Sequence, residues 1–283
     1  MLQKKNDEIP SHVFARIVRI FNNNSWEIEH GGNEFSAFNR FCTMIAELNE
    51  EQQELVLELT KRYTRIEVND YILYLKNLLR KFANENATNL IGINKIYIAP
   101  LIAPEDIGKS KSSTTVQYLL RNIICNTPIL AEKKSIYVDG LQIESDQIND
   151  EDSLLILVDD FIGTGETAES AVKFLIDKGI RKEKIVILTI AALQIGEDFL
   201  RESNILLYTH LTFNKGITDN YTEEELSEKL MLMNTIESKI KVHKNEKLGF
   251  KGSEALISLI RTPNNTFPVF WKERKGRKAP FPR

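Results

Sequence analysis

The feature that most limits what this chain can fold into is the run from Leu154 to Thr167. It begins with five consecutive apolar residues, Leu154-Leu155-Ile156-Leu157-Val158. A short, unbroken apolar run of this kind belongs to a strand buried on both faces of a parallel sheet. Two adjacent carboxylates follow, Asp159 and Asp160, then Phe161-Ile162 and the turn Gly163-Thr164-Gly165-Glu166-Thr167. From Thr167 to Lys178 the apolar residues Ala168, Ala171, Val172 and Leu175 recur at helical spacing, and Gly179 stands where a helix would end. The run predicts a buried strand, a turn and a helix, with acids and glycines gathered at the strand's carboxyl end.

That arrangement has a chemical reading. Ligands of open α/β sheets bind at the carboxyl ends of the strands. The free N–H groups at a helix N-terminus attract phosphate, helped by the helix dipole. Gly163 and Gly165 let backbone N–H groups come close to a ligand, and Thr164 and Thr167 add hydroxyl donors. Asp159 and Asp160 are acceptor-only groups when ionised, matched to sugar hydroxyls. Phosphate donors beside paired acceptors suit a ribose 5-phosphate. A plain strand-to-helix turn capped by threonine has no use for two neighbouring carboxylates. The Gly-Lys-Ser/Thr element of a nucleoside-triphosphate loop is missing, and so is the dinucleotide glycine spacing.

The rest of the chain supplies the fold class. The first ~90 residues read as helical, with segments at His12–Phe21 (Ser11 as a cap), Phe35–Leu48, Glu50–Arg62 and Tyr71–Phe82. Asn22 to Ser25 and Gly31-Gly32 read as loops. Strands follow at Lys95–Ala99, Ser135–Val138, Lys184–Ile190 and Ile205–Leu211, with a helix at Thr114–Arg121. Strands alternating with helices imply βαβ units and a mainly parallel sheet flanked by helices. Thr222 and Glu225 make a capping box for a helix to about His243, while Ser253–Ile260 fits strand or helix. The expected division is a helical region, 1–90, and an α/β domain, 91–283.

Residues 154–167 resemble the 5-phosphoribosyl 1-pyrophosphate (PRPP) signature of type I phosphoribosyltransferases. The C-terminal part, Phe250 to Trp271 with Phe281-Pro282-Arg283, resembles the phosphoribosyltransferase-like family of bacterial conflict and phage-defence loci. Thr262-Pro263-Asn264-Asn265-Thr266-Phe267-Pro268-Val269-Phe270-Trp271 carries that likeness. The resemblance implies a type I phosphoribosyltransferase-like, Rossmann-like fold. It implies that Asp159 and Asp160 accept from the ribose 2′- and 3′-hydroxyls and that Gly163 to Thr167 binds the 5-phosphate. It implies Mg²⁺, which Asp159 and Asp160 meet only through sugar or water.

The pyrophosphate would sit on the loop after the first sheet strand, Ala103 to Ser113. Gly108, Lys109, Ser110, Lys111 and Ser112, with a helix start at Thr114, form a candidate phosphate nest. The segment from Lys133 to Asp152 stands where the family has a mobile catalytic loop, but here it is short and acid-rich. Three functions fit. The first is phosphoribosyl transfer from PRPP to an unidentified base, nucleotide or nucleic-acid acceptor. The second is a non-catalytic sensor of PRPP or a ribose-phosphate nucleotide. The third, implied by the resemblance alone, is a toxin-like or defence effector whose target is nucleic acid or a nucleotide pool, with a protein partner from a defence locus.

Weaker features add less. Asn264, Asn265, Phe267 and Trp271 could stack on and hydrogen-bond a base, or could close a core at the chain end. Lys272 to Arg283 holds six basic residues and one acid, a solvated tail or a contact for nucleic acid. The whole chain carries 37 Lys and Arg against 40 Asp and Glu, so bulk charge favours no nucleic-acid or membrane partner. The two cysteines, Cys42 and Cys125, are too few for a disulfide framework and fit a reducing cytoplasm. His12, His30, His210 and His243 are scattered and show no metal-ligand spacing. Met1 to Glu8 lacks the apolar stretch of a signal peptide, and no apolar run reaches the ~20 residues of a membrane span.

Overall fold

The structure is a computed structural model that describes residues 9–29, 33–139 and 143–283. The Gly31-Gly32 loop, His30, Met1 to Glu8 and residues 140–142 of the segment before Asp152 lie outside the described residues. In chain order the elements begin α1 (Ser11–Asn23), α2 (Ala37–Ala46), α3 (Glu50–Lys61), β1 (Thr64–Arg65), α4 (Val68–Glu85), α5 (Ala87–Leu90) and β2 (Lys95–Pro100). They continue α6 (Ser112–Ile124), β3 (Lys134–Tyr137), α7 (Ser145–Ile148), β4 (Ser153–Ile162), α8 (Glu166–Asp177), β5 (Ile185–Leu193) and α9 (Gln194–Glu202). The last are β6 (Leu206–Phe213), α10 (Glu223–Lys239), β7 (Ile257–Ser258) and α11 (Pro268–Trp271). Ser11 is the first residue of α1, whose cap is Pro10.

Two compact units result, residues 66–214 and residues 1–65 with 215–283. The expected 1–90 and 91–283 division differs from this partition for a physical reason. The apolar stripe of α4 packs with α6, β5 and β6, which places it in the α/β unit. The segment after β6 shares an apolar core with α1, α2 and α3.

Residues 66–214 build a five-stranded sheet in the order β3-β2-β4-β5-β6, parallel at every pairing. Both faces are covered, as the unbroken apolar strands require. On one face Leu155, Leu157, Ile185 and Ile187 share a core with Ala168, Ala171, Val172 and Leu175 of α8 and Leu200 of α9. Helices α4 and α6 cover the other. From β2 the chain crosses through α6 to β3 on one side, whereas from β4 it crosses through α8 to β5 on the other. Such a reversal opens a crevice at the carboxyl ends of the two strands, here β2 and β4.

In residues 1–65 and 215–283, Ile17, Phe21, Phe41, Leu55, Met233 and Ile236 surround a terminal aromatic group. Tyr63 stacks on Phe281 at 4.7 Å between ring centres and lies 4.7 Å from Phe270. The basic C-terminal stretch is docked rather than a free tail. Arg277 is 5% exposed and donates to the Val269 carbonyl, Lys272 pairs with Glu246, and the Phe281 N–H donates to the Phe270 carbonyl. No helix among the described residues is long and apolar enough to cross a membrane.

Candidate functional site

Strand β4 runs four residues past its apolar stretch, to Ile162, because Phe161 and Ile162 keep pairing with Ala191 and Ala192 of β5. Asp159 and Asp160 therefore lie inside the strand, and successive strand residues face opposite sides. Asp159 follows Leu155 and Leu157 toward α8. Asp160 follows Ile156 and Val158 toward α4 and α6.

The two carboxylates have different surroundings. Asp160 is buried, with Oδ2 accepting from the Tyr71 hydroxyl at 2.8 Å and Oδ1 from the Ser112 hydroxyl at 2.7 Å. Asp159 is partly exposed, and its Oδ1 accepts the Asp160 N–H at 2.9 Å. Burial and the neighbouring Asp160 charge push the Asp159 carboxyl well above the ordinary carboxylate range, against the pull of the Asp160 N–H and the Lys111 charge. The expectation that both acids face the sugar alike does not describe this geometry. Of the two, Asp159 presents itself to a ligand, while both Asp160 oxygens already hold protein hydroxyls.

The turn after β4 is shaped by glycine. Gly165 caps α8 with φ 85°, in the left-handed region, and a Cβ there would stand 2.8 Å from Phe199 Cδ1. Gly163, Thr164 and Glu166 are partly exposed and Thr167 is exposed. The backbone donors of this first turn have no intrahelical acceptors. The turn leans on α9, which follows β5 without a loop. A Cβ on Gly196 would sit 2.3 Å from the Gly163 carbonyl oxygen. Gly196 is the supporting residue that sequence reasoning missed. Its one signal was a glycine three residues beyond a buried strand.

The loop from Leu101 to Lys111 leaves β2 beside these residues. Its Leu101 N–H donates to the Val158 carbonyl at 2.8 Å. Gly108 has φ 78°, and Gly108, Lys109 and Ser110 are exposed. Lys109 and Lys111 both pair with the Asp106 carboxylate. Burial would raise that carboxyl, but the two lysines bring it below its ordinary value. The candidate nest thus carries its own counterion. Ser112 opens α6 and commits its hydroxyl to Asp160, so that hydroxyl is not free for pyrophosphate as expected.

The residues suggested for base contact are core or hydrogen-bonded frame in the other unit. Phe267 is fully buried, and Trp271 is buried with its indole N–H donating to the Thr266 carbonyl at 2.7 Å. The buried Asn265 amide donates to Ser253 Oγ, and the Asn264 carbonyl accepts the Phe250 N–H. Phe267 has no exposed ring face for a base to stack on. Among the described residues no three His, Cys, Asp or Glu side chains gather into a metal site. One partly exposed carboxylate beside a buried one already engaged by two hydroxyls fits a Mg²⁺ brought in by a phosphorylated ligand, not a cage built by the protein.

The PRTase-CE family model matches residues 43–283. No curated protein matches the chain. Among solved structures, APRTase from Giardia lamblia complexed with 9-deazaadenine is similar at 11% identity, covering 48% of this chain and 77% of its own, with a TM-score of 0.32. Orotate phosphoribosyltransferase from Aeropyrum pernix is similar at 15% identity, covering 62% and 77%, with a TM-score of 0.31. A hypothetical protein from Neisseria gonorrhoeae with bound ppGpp is similar at 12% identity, covering 61% and 97%, with a TM-score of 0.33. At these TM-scores the structural likeness carries no argument.

Proposed function

The chain belongs to the PRTase-CE family, and from that membership and the geometry of the strand tips we propose that residues 66–214 bind PRPP and transfer its phosphoribosyl group to an acceptor. The observation that carries the reading is the crevice between β2 and β4, where an acid-bearing strand tip, a glycine turn at a helix start and a loop with two lysines adjoin. The turn Gly163 to Thr167 holds the 5-phosphate through backbone N–H groups and the Thr164 and Thr167 hydroxyls. Asp159 accepts from a ribose hydroxyl. The loop of Gly108, Lys109, Ser110 and Lys111 receives the pyrophosphate.

In the reaction the bond from the anomeric carbon to the pyrophosphate oxygen breaks and its electron pair leaves with pyrophosphate. The acceptor's lone pair forms the new bond to that carbon, and the acceptor gives up a proton. The transition state resembles an oxocarbenium ion, so the protein contributes positioning and electrostatic stabilisation. Mg²⁺, when bound, would be carried by the substrate's phosphates with Asp159 meeting it through sugar or water, and would supply charge neutralisation on the leaving group.

Isotope-labelled PRPP incubated with the protein, Mg²⁺ and candidate bases, nucleotides or nucleic acids tests this. Pyrophosphate release should exceed that of Asp159→Asn. Equal release from both proteins sinks the enzyme reading.

A second reading, a sensor that binds PRPP or a nucleotide without turnover, is favoured by one observation: Asp106 engages both lysines that would stabilise a leaving pyrophosphate. Calorimetric binding of PRPP with no product over hours supports it. A role in a conflict or defence locus, with a partner encoded nearby, rests on the C-terminal resemblance, and the neighbouring genes test it.

A further inference from the structure

Asp159 and Asp160 are adjacent in sequence, yet their surroundings assign them different tasks. Asp160 is 5% exposed, and each of its oxygens accepts a hydroxyl from a different helix. Tyr71 is fully buried within α4. Ser112 is the first residue of α6, where the lysine loop ends. The loop's other end is fastened by the Leu101 N–H to the Val158 carbonyl. Both ends of the loop are therefore tied to β4, at residues 158 and 160. Hydroxyl-to-carboxylate bonds belong to the stronger, charge-assisted class. A sugar hydroxyl would have to reach a group with almost no exposed surface and compete with two such bonds.

We propose that Asp160 is a positioning residue that sets the loop of Lys109 and Lys111 against the tip of β4, leaving Asp159 as the acceptor for the sugar. This deepens the PRPP reading and rests on it. Asp160 acts on pyrophosphate through Ser112 and touches neither the phosphate nor the ribose. Tyr71 anchors the carboxylate from the opposite side, so Asp160 holds one rotamer whether or not a ligand is present. Among the described residues no hydroxyl donates to Asp159, which is partly exposed and accepts the Asp160 N–H.

Calorimetry with two probes separates the tasks, both in the presence of Mg²⁺. Inorganic pyrophosphate reports on the loop, and ribose 5-phosphate reports on the turn and the sugar acceptor. Ser112→Ala should weaken pyrophosphate about tenfold, the effect of losing a hydrogen bond to a charged group, and leave ribose 5-phosphate within about twofold. Asp160→Asn should follow Ser112→Ala, and Ser112→Thr, which keeps the hydroxyl, should restore pyrophosphate binding. Asp159→Asn should do the reverse, weakening ribose 5-phosphate and sparing pyrophosphate. Ser112 stands half-buried at a helix start, so its variants keep the fold, and thermal unfolding of each verifies this.

If Asp160→Asn weakens ribose 5-phosphate as Asp159→Asn does, while Ser112→Ala changes neither probe, Asp160 is a sugar ligand. That result overturns this inference and leaves the PRPP site standing. If the unaltered protein binds neither probe, the PRPP reading fails and this inference falls with it.

Discussion

Gly196→Ala puts the proposed phosphate turn under direct test. Inside a helix, alanine is ordinarily the better residue by about 1 kcal/mol, so the substitution should stabilise α9 if nothing opposes it. The structure opposes it. The added methyl would lie 2.3 Å from the Gly163 carbonyl oxygen, 3.2 Å from the Gly163 carbonyl carbon and 3.2 Å from Ile162 Cγ2. The nearest atoms are backbone, so no side chain can swing aside. Either α9 or the turn must move by roughly 0.7 Å to bring the closest contact to 3.0 Å. Overpacking of this kind costs about 1–3 kcal/mol. The upper end applies where both partners are backbone, leaving a net loss of about 2 kcal/mol after the helix gain. Misplacement approaching 1 Å costs up to about 100-fold in a positioned reaction, so ribose 5-phosphate binding should fall about tenfold or more. Urea unfolding followed by circular dichroism reads the first effect and calorimetry the second. Gly92→Ala is the control, because a Cβ there meets nothing within 4 Å. A Gly196→Ala protein as stable as the parent, with unchanged ribose 5-phosphate affinity, would refute the idea that α9 braces the turn.

Four further outcomes are expected. Asp106→Asn releases Lys109 and Lys111 and should raise pyrophosphate affinity about threefold at low salt, the scale of exposed ion pairs. The gain should shrink as salt screens the lysines, and no gain at any salt removes them as the anion's contacts. Because the Asp159 carboxyl is raised, ribose 5-phosphate affinity relative to Asp159→Asn should grow with pH above the ordinary carboxylate range. A constant ratio argues against Asp159 as the sugar acceptor. Burial pushes the Glu237 carboxyl up to about 8. The folded state then holds this proton more tightly than the unfolded chain, so the stabilisation is full in acid and is lost as pH rises through about 8. Glu237→Gln should flatten that part of the pH-stability curve in urea melts, and an unchanged slope assigns it to another group. Phe267→Ala should cost about 3–5 kcal/mol of stability with ribose 5-phosphate affinity intact. A variant of full stability that loses nucleotide binding would return Phe267 to a base-contacting role.

The parts of the fold that the sequence made legible are those whose signal is local. Apolar runs located β2, β4 and β5, because a strand covered on both faces has no polar side to interrupt the pattern. The end of β4 was misread for the same reason. Asp159 and Asp160 break the apolar run, yet the strand continues because β5 still offers Ala191 and Ala192 as partners. Helix α9 was missed because Gln194 to Glu202 holds a glycine and mostly polar residues, and only burial of Gly196 and Leu200 identifies its inner face. The unit boundary escaped as well. Periodicity tells that residues 71–82 form a helix but not which sheet or bundle takes up its apolar stripe.

The site divides along the same line. The turn's geometry was legible because its glycines and the start of α8 lie within a few residues of one another. The partners of Asp160 were not, since Tyr71 lies 89 residues away and Ser112 lies 48 away. Sequence supplies donors and acceptors by type; the fold decides which of them are already spent. Two lysines beside a phosphate turn suggested a basic nest, but Asp106 neutralises part of it, and Asp159 and Asp160 stand nearby. Around these strand tips the acids offset the lysines. A polyanion entering here draws its attraction from backbone N–H groups at the start of α8 and from the cation it brings, more than from side-chain charge. It follows that chelating Mg²⁺ should weaken PRPP binding by more than Lys109→Ala does. The opposite order would mean that the lysine, not the cation, carries the charge of the site.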